Sequence, residues 1–342
     1  MATISLCMIV KNEEPVLERC LDSICDLMDE IIIVDTGSTD STKEIAARYT
    51  DKIYDFEWTG NFAAARNYSF SKATMEYIYC ADADEVLDET NHTRFLHLKQ
   101  SLLPEIEIVQ MYYRGQLQHG TVYNYDRELR PKLYRRLRSF RWIEPIHECV
   151  CLDPLVFDSD IEILHLPQEL HAGRDLAIFE SMINEGEILS KRLRTFYAKE
   201  LLLHGTHENY MIAKDFFQDI LYSDNIDNEE RKEALIILAR AYRMLDDAPS
   251  FFKYILKNIG LGLDCSEIFF ELGQFYEQLS QYEEAQIWYY NAVFESTAYL
   301  NIHFSGDYSL EGLARCYEAV GLSEEAKRYA ELAKDWTPVE EV

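Results

Sequence analysis

Three short apolar runs, at 4–10, 30–34 and 77–80, alternate with stretches of helical spacing, and the last two lead almost at once into carboxylates. Asp35 closes the second run, and the third passes through Ala81 into Asp82-Ala83-Asp84-Glu85. Strands that alternate with helices are the pattern of βαβ units around a largely parallel sheet, so the first part of the chain reads as an α/β layer structure. Between the runs, 15–27 has the spacing of an amphipathic helix with Val16, Leu17, Cys20, Leu21 and Ile24 inward. Ser41-x-x-Glu44 reads as a capping box opening the next helix. A short strand at 52–55 and a helix at about 61–72 complete the unit. Parallel strands present their ligands at carboxyl ends, so Asp35, Asp82 and Asp84 are expected in one cleft.

From 105 to 165 the pattern shifts to short β-like runs, at 106–113, 132–137 and 161–165, as in the second half of a catalytic domain where an acceptor pocket is built. Beyond Leu166-Pro167 the chain reads as helical almost to its end, and it repeats. Leu272-Gly273, Tyr276, Ala285, Tyr289 and Ala292 align with Leu313-Ala314, Tyr317, Ala326, Ala330 and Ala333 at identical internal spacing. The spacing is similar to the tetratricopeptide pattern, in which small residues let paired helices approach closely and each pair buries its apolar face on the next. Leu238-Ala239, Tyr242 and Phe251 fit as a looser third unit. The expected organisation is therefore a catalytic domain over 1–170 and a helical repeat domain over 171–342.

A formal charge of -28 on 342 residues argues against non-specific binding to nucleic acid or anionic lipid, which need basic surface. Against that background, seven basic residues and one acid between Arg127 and Arg141 stand out. They suit either a diphosphate or acidic acceptor, or a basic strand face packed on acidic neighbours. No apolar run approaches the ~20 residues that span a bilayer, and the N-terminus lacks a basic leader, which leads us to expect a cytoplasmic protein. Eight scattered Cys fit reduced thiols, and Cys149-x-Cys151 is too tight for a structural zinc pair.

Carboxylates that follow directly on an apolar strand commonly hold a cation. One or two of them, with substrate phosphates and waters, is how Mg²⁺ is usually bound, and Mn²⁺ also prefers oxygen ligands. Asp82-x-Asp84 thus points to a phosphorylated donor. Taken with 9–14 (Ile-Val-Lys-Asn-Glu-Glu), 34–40 (Val-Asp-Thr-Gly-Ser-Thr-Asp) and 62–67 (Phe-Ala-Ala-Ala-Arg-Asn) in this order, the chain resembles a family 2 glycosyltransferase of the GT-A fold over about residues 3–165. A transferase domain followed by tetratricopeptide-like repeats is similar to the bacterial subgroup that includes the bacteriocin-peptide glycosyltransferases.

The resemblance implies a Rossmann-like mixed sheet and a site assembled residue by residue. Ile9, Val10 and Glu14 would line the nucleotide pocket, and Asp35 would hydrogen-bond the base, most often uracil. The family often carries two acids where this chain has Asp35-Thr36. Arg66 and Asn67 would steady the nucleotide side or close their helix on the sheet. Asp82 would face the ribose or diphosphate, Asp84 would bind Mn²⁺ or Mg²⁺, and Glu85 would support them. The segment from Trp142 to Glu148 resembles the subgroup's His-Glu element, with Glu148 the general base, Glu144 its rival, and His147 a metal or diphosphate ligand. His165 falls where related enzymes place a further metal-shell histidine. Neighbours on a regular strand face opposite sides, so His147 and Glu148 reach one cleft only from a turn or a strand end. The expected activity is metal-dependent, inverting transfer of a hexose or N-acetylhexosamine from a UDP-sugar to a peptide or protein side chain. The repeats would bind the acceptor or a second copy of the chain. A cell-surface glycan or lipid-linked acceptor, or a repeat scaffold with an inactive transferase half, are the other readings.

Overall fold

The computed structural model describes residues 1–115, 124, 127–150, 154–167 and 173–338. Cys151 and the expected boundary at 170/171 lie outside the described residues. The chain divides into two compact units, one essentially 1–171 and the other 172–342 together with 122–124.

The first unit runs β1 (Ile4–Val10), α1 (Leu17–Ile24), β2 (Glu30–Asp35), α2 (Thr42–Ala46), β3 (Ile53–Asp55), α3 (Phe62–Phe70), β4 (Tyr77–Cys80), β5 (Glu85–Val86) and α4 (Glu89–Ser101). It continues with β6 (Ile108–Arg114), β7 (Arg127–Arg135), β8 (Trp142–Ile143), β9 (Cys149–Val150) and β10 (Val156–His165). Among the described residues, eight strands form one sheet in the order β3-β2-β1-β4-β7-β6-β10-β5, and β8 pairs with β9 apart from it. The pairs among β3, β2, β1 and β4 are parallel, β7 is antiparallel to both β4 and β6, and β10 is parallel to β6. The sheet is therefore mixed.

Alternation along the strands sorts side chains to its two faces. Ile4, Leu6, Met8 and Val10 of β1 pack in one cluster with Leu17, Cys20, Leu21 and Ile24 of α1. Cys7 of β1, with Ile32 and Val34 of β2, joins Ala63 and Phe70 of α3 in a second cluster.

Local chemistry departs from expectation at three points. Ser41 makes no side-chain cap. Its backbone, at φ −81° and ψ 14°, is not extended as a capping residue requires. Asp40 acts in its place, accepting from the Thr42 N–H at 3.0 Å and the Thr42 hydroxyl at 2.6 Å. The helix α4 has no counterpart in the expected pattern; its apolar spacing is sparse, and Phe95 is the residue it buries deepest. The basic segment begins a strand five residues earlier than expected and spends several of its charges on acids. Arg127 pairs with Glu162 at 2.8 Å, Arg138 with Glu107 at 2.6 Å, and Lys132 with Glu85.

The second unit contains α5 (Arg174–Asn184), α6 (Lys191–His204), α7 (His207–Leu221), α8 (Asn228–Met244), α9 (Ala248–Gly260), α10 (Ser266–Gln278), α11 (Tyr282–Phe294), α12 (Asp307–Ala319) and α13 (Ser323–Lys334). The aligned repeats fall on the helix pairs α10/α11 and α12/α13, and the looser unit on α8/α9. Tyr289 of α11 shows why small residues recur: a Cβ on Gly273 would stand 2.7 Å from its ring, and one on Gly312 2.6 Å. Its hydroxyl donates to Glu277 at 2.5 Å and accepts from Gln274 at 2.6 Å. Among the described residues, no helix is long and apolar enough to cross a membrane.

Candidate active site

The loops after β1 and β2 are sewn together at the carboxyl ends of their strands. The Asn12 side-chain oxygen accepts from the Thr39 N–H at 2.8 Å, the Asn12 N–H donates to the Ser38 hydroxyl at 2.9 Å, and Glu14 accepts from the Ser41 N–H at 3.0 Å. Asn12 itself turns the chain with φ 57°. Asp35 is buried at the end of β2, where its carboxylate accepts from the N–H groups of Gly37 at 3.1 Å and Ser38 at 3.0 Å. It therefore shapes the turn first, and only remaining lone pairs are open to a base. Val10 is buried, its carbonyl accepting from the Thr36 N–H at 2.9 Å, while Ile9 is half-buried beside the second core cluster.

The acids after β4 are gathered by residues far away in sequence. Asp84 Oδ2 lies 3.1 Å from His165 Nε2, at the end of β10. The antiparallel pairing of β10 with β5 places His165 opposite Glu85, and the Leu166 N–H donates to the Asp84 carbonyl at 3.0 Å. The other Asp84 oxygen, Oδ1, is buried with no hydrogen-bond partner among the described residues. A buried carboxylate oxygen left this way costs free energy unless something binds it. A carboxylate and an imidazole meeting at a strand end offer the oxygen and nitrogen donors that a divalent ion takes, so these residues fit one.

Arg66 of α3 is the hub of the site. Its Nη2 donates to Asp82 at 2.9 Å, its Nε to Glu148 and its Nη1 to Cys80 Sγ at 2.9 Å, and its guanidinium carbon lies 5.3 Å from the centre of the Trp142 ring. Desolvation in this crowded place works against the Asp82 charge, and the Arg66 and Lys132 cations outweigh it, holding the carboxyl well below the usual range. Glu85 is wholly inside. Burial, with the neighbouring Asp82 and Asp84 charges, pushes its carboxyl up to about 7 against the pull of Lys132. The Lys132 ammonium also donates to the Cys80 carbonyl at 3.3 Å.

Asn67, next to the hub, has different employment. Its amide nitrogen donates to the Trp142 carbonyl at 2.9 Å and its oxygen accepts from the Trp142 N–H at 2.9 Å. Both ends of the amide bind β8, so Asn67 closes α3 on that strand, and only its second N–H and remaining lone pair are open to a nucleotide. The Phe62 N–H also donates to the Pro145 carbonyl at 2.8 Å, so α3 carries the 142–150 hairpin at two points. Glu144 (φ 69°) and His147 (φ 46°) both take left-handed backbone, a conformation uncommon for residues other than glycine. That turn removes the strand alternation which would send His147 and Glu148 to opposite sides. Glu144 Oε2 lies 4.0 Å from Cys149 Sγ, within the hairpin. Of the residues that complete the site, Lys132 was marked in the sequence as part of the basic segment, while Tyr113, whose ring lies 5.3 Å from that of His165, had no signal of its own.

Residues 5–164 match the family model for glycosyl transferase family 2. This stretch is a family 2 glycosyltransferase domain. The mixed sheet agrees with the GT-A arrangement, and the helix pairs that follow are tetratricopeptide-like. A TPR repeat-containing protein of Synechococcus elongatus is 39% identical over 150 residues, covering 44% of this chain and 36% of the relative. The SPbeta prophage-derived glycosyltransferase SunS of Bacillus subtilis is 38% identical over 91 residues, covering 26% of this chain and 22% of SunS. The chain thus spans about a third or less of these two relatives. A solved glucosyl-3-phosphoglycerate synthase of Mycobacterium tuberculosis, in complex with Mn²⁺ and UDP-glucose, is 16% identical, covering 55% of this chain and 81% of that one at a TM-score of 0.39. That likeness is too distant to carry an argument.

Proposed function

We propose that the chain is a cytoplasmic, metal-dependent, inverting glycosyltransferase that moves a hexose or N-acetylhexosamine from a UDP-sugar to a peptide or protein side chain. The observation that carries this reading is Asp84: a strand-end carboxylate with one oxygen on His165 and the other buried without a partner among the described residues, inside a family 2 domain. Asp84 and His165 would hold Mn²⁺ or Mg²⁺, and His147 from the hairpin would serve the diphosphate. When bound, such a cation neutralises the charge that builds on the departing diphosphate. Asp82, fixed by Arg66, faces the donor, and the sewn loops carrying Glu14 and Asp35 form the nucleotide side.

Glu148 is the base in this reading. The acceptor hydroxyl or thiol must lose a proton as it attacks the anomeric carbon, and a carboxylate held in one orientation by Arg66 is positioned to take it. Glu144 is the alternative base on the same hairpin. The division of labour is then a catalytic domain over 1–170 and an acceptor-binding domain over 171–342. Helical repeats support a polypeptide acceptor because stacked helix pairs offer extended surfaces to extended chains.

The test is UDP release from a panel of UDP-sugars, with Mn²⁺ and with a chelator. Release from one sugar that needs the metal and is lost in Asp84→Asn is the expected result. If no UDP-sugar is turned over and none raises the unfolding temperature, the reading is wrong. Mass spectrometry of a co-expressed polypeptide reports the acceptor.

A further inference from the structure

The helical unit contains a cavity of about 480 Å³ lined by Gly205, Tyr210, Arg240, Arg243, Asp246 and Gln278, with Met244. Two of its residues, Arg240 and Arg243, belong to an ion-paired triad. Glu271, buried on α10, accepts from Arg240 Nε at 2.6 Å through one oxygen and from Arg243 Nε at 2.6 Å through the other. Each guanidinium meets Glu271 through Nε. The two arginines then differ. Arg240 Nη1 donates to the Leu202 carbonyl at 3.0 Å, and its guanidinium carbon lies 5.1 Å from the centre of the Phe304 ring. Arg243 has a side chain only 8% exposed, and its two Nη groups have no acceptor among the described residues.

Glu271 satisfies one of the five N–H donors of this guanidinium, which leaves the fork to water or to a ligand. Here the fork borders a cavity. A planar fork of this kind matches a carboxylate, which accepts from two Nη groups at once. The rest of the lining decides the class of ligand. Asp246 and the Gln278 amide oxygen are acceptors, and Tyr210, its hydroxyl donating to the Leu201 carbonyl at 2.8 Å, offers a ring. A phosphate brings no N–H donor for Asp246 or Gln278. A peptide segment brings a carboxylate together with backbone N–H donors and apolar atoms, and suits all of these groups.

We infer that this cavity is a recognition site for an Asp or Glu side chain of a polypeptide, with Arg243 binding the carboxylate and Glu271 holding Arg243 in place. The assignment deepens the reading of the repeats as the acceptor-binding half and rests on it. Binding is measured on the full chain without donor or metal, which separates it from transfer. The probe is a fluorescein-labelled pool of random hexapeptides each containing one Glu, compared with a matched pool containing Gln.

The Glu pool should bind, and the Gln pool should bind about 10- to 100-fold more weakly, the range expected for loss of a charge-assisted pair. Arg243→Met should reduce binding of the Glu pool to the level of the Gln pool, and Arg243→Lys should restore part of the difference. Arg231→Met, on α8 and outside the cavity, should leave it unchanged. Equal binding of the two pools, or a Glu preference that survives in Arg243→Met, overturns the assignment. If Arg243→Met fails to fold, Arg243→Lys decides: an undiminished preference for Glu over Gln then overturns it. An Arg243-dependent preference in a chain that releases no UDP supports the cavity and counts only against the transferase reading. Transfer to a polypeptide without that preference does the reverse.

Discussion

At the scale of single residues, one side chain joins the donor and acceptor ends of the proposed chemistry. Arg66 bonds both Asp82 and Glu148, residues 66 positions apart, so the charge on each carboxylate is held where the reaction needs it. Asp84→Asn keeps the shape and removes the anionic oxygens. We expect metal-dependent UDP release to fall by roughly 100-fold, with unfolding temperature in the absence of metal little changed. Glu148→Gln should lower transfer by about 10²- to 10⁴-fold while UDP affinity, read by titration calorimetry, stays close to that of the parent. Retained transfer would move the role to Glu144. Asp82, Asp84 and His147-Glu148 were legible as carboxylates and a His-Glu pair beside apolar runs. Asn67 was left between a nucleotide contact and a helix-closing role, and the fold shows both ends of its amide bound to Trp142.

At the scale of elements, strands and helix pairs followed from periodicity, and their ends did not. The strands β1, β2 and β4 and the helix pairs α10/α11 and α12/α13 lie where the apolar spacing put them, since burial of one face fixes both period and position. The cap of α2 moved to Asp40 because capping depends on backbone angles that a motif does not carry. Two substitutions probe this level. Asn67→Ala should cost about 2 kcal/mol in denaturant unfolding, because the Trp142 N–H and carbonyl lose their partners. Gly312→Ala drives a methyl into the Tyr289 ring and should cost about 1–3 kcal/mol.

A third prediction at this scale concerns Glu233, buried on α8. Burial pushes its carboxyl up to about 7, against the hydroxyl of Thr195, which donates at 2.7 Å, and the Lys191 and Arg194 charges. A carboxyl raised in the fold favours its neutral form. Its contribution is full below the ordinary value of 4.5 and is lost as pH rises through about 7. Glu233→Gln should therefore gain on the parent between about pH 5 and pH 8, by up to ~3 kcal/mol, in unfolding curves taken across that range.

At the scale of the whole molecule, charge governs which partners approach. With a formal charge of -28, the protein should pass unretained through heparin or DNA columns at about 0.1 M salt, where a basic surface would be held. Retention would show that local basic residues outweigh the total. The sequence by itself determined the kind of protein: an α/β unit with acids at strand ends, a helical repeat after it, and an acidic surface. Those properties depend on spacing along the chain and on summed charge, which need no fold to be read. The tertiary structure alone decided which groups meet. His165 reaches Asp84 from 81 residues away because β10 pairs with β5, and Lys132 leaves its basic neighbours to neutralise Glu85 inside the sheet. Contacts of that range are set by strand order and by the cost of burying an uncompensated charge, and neither is written in any local run of residues.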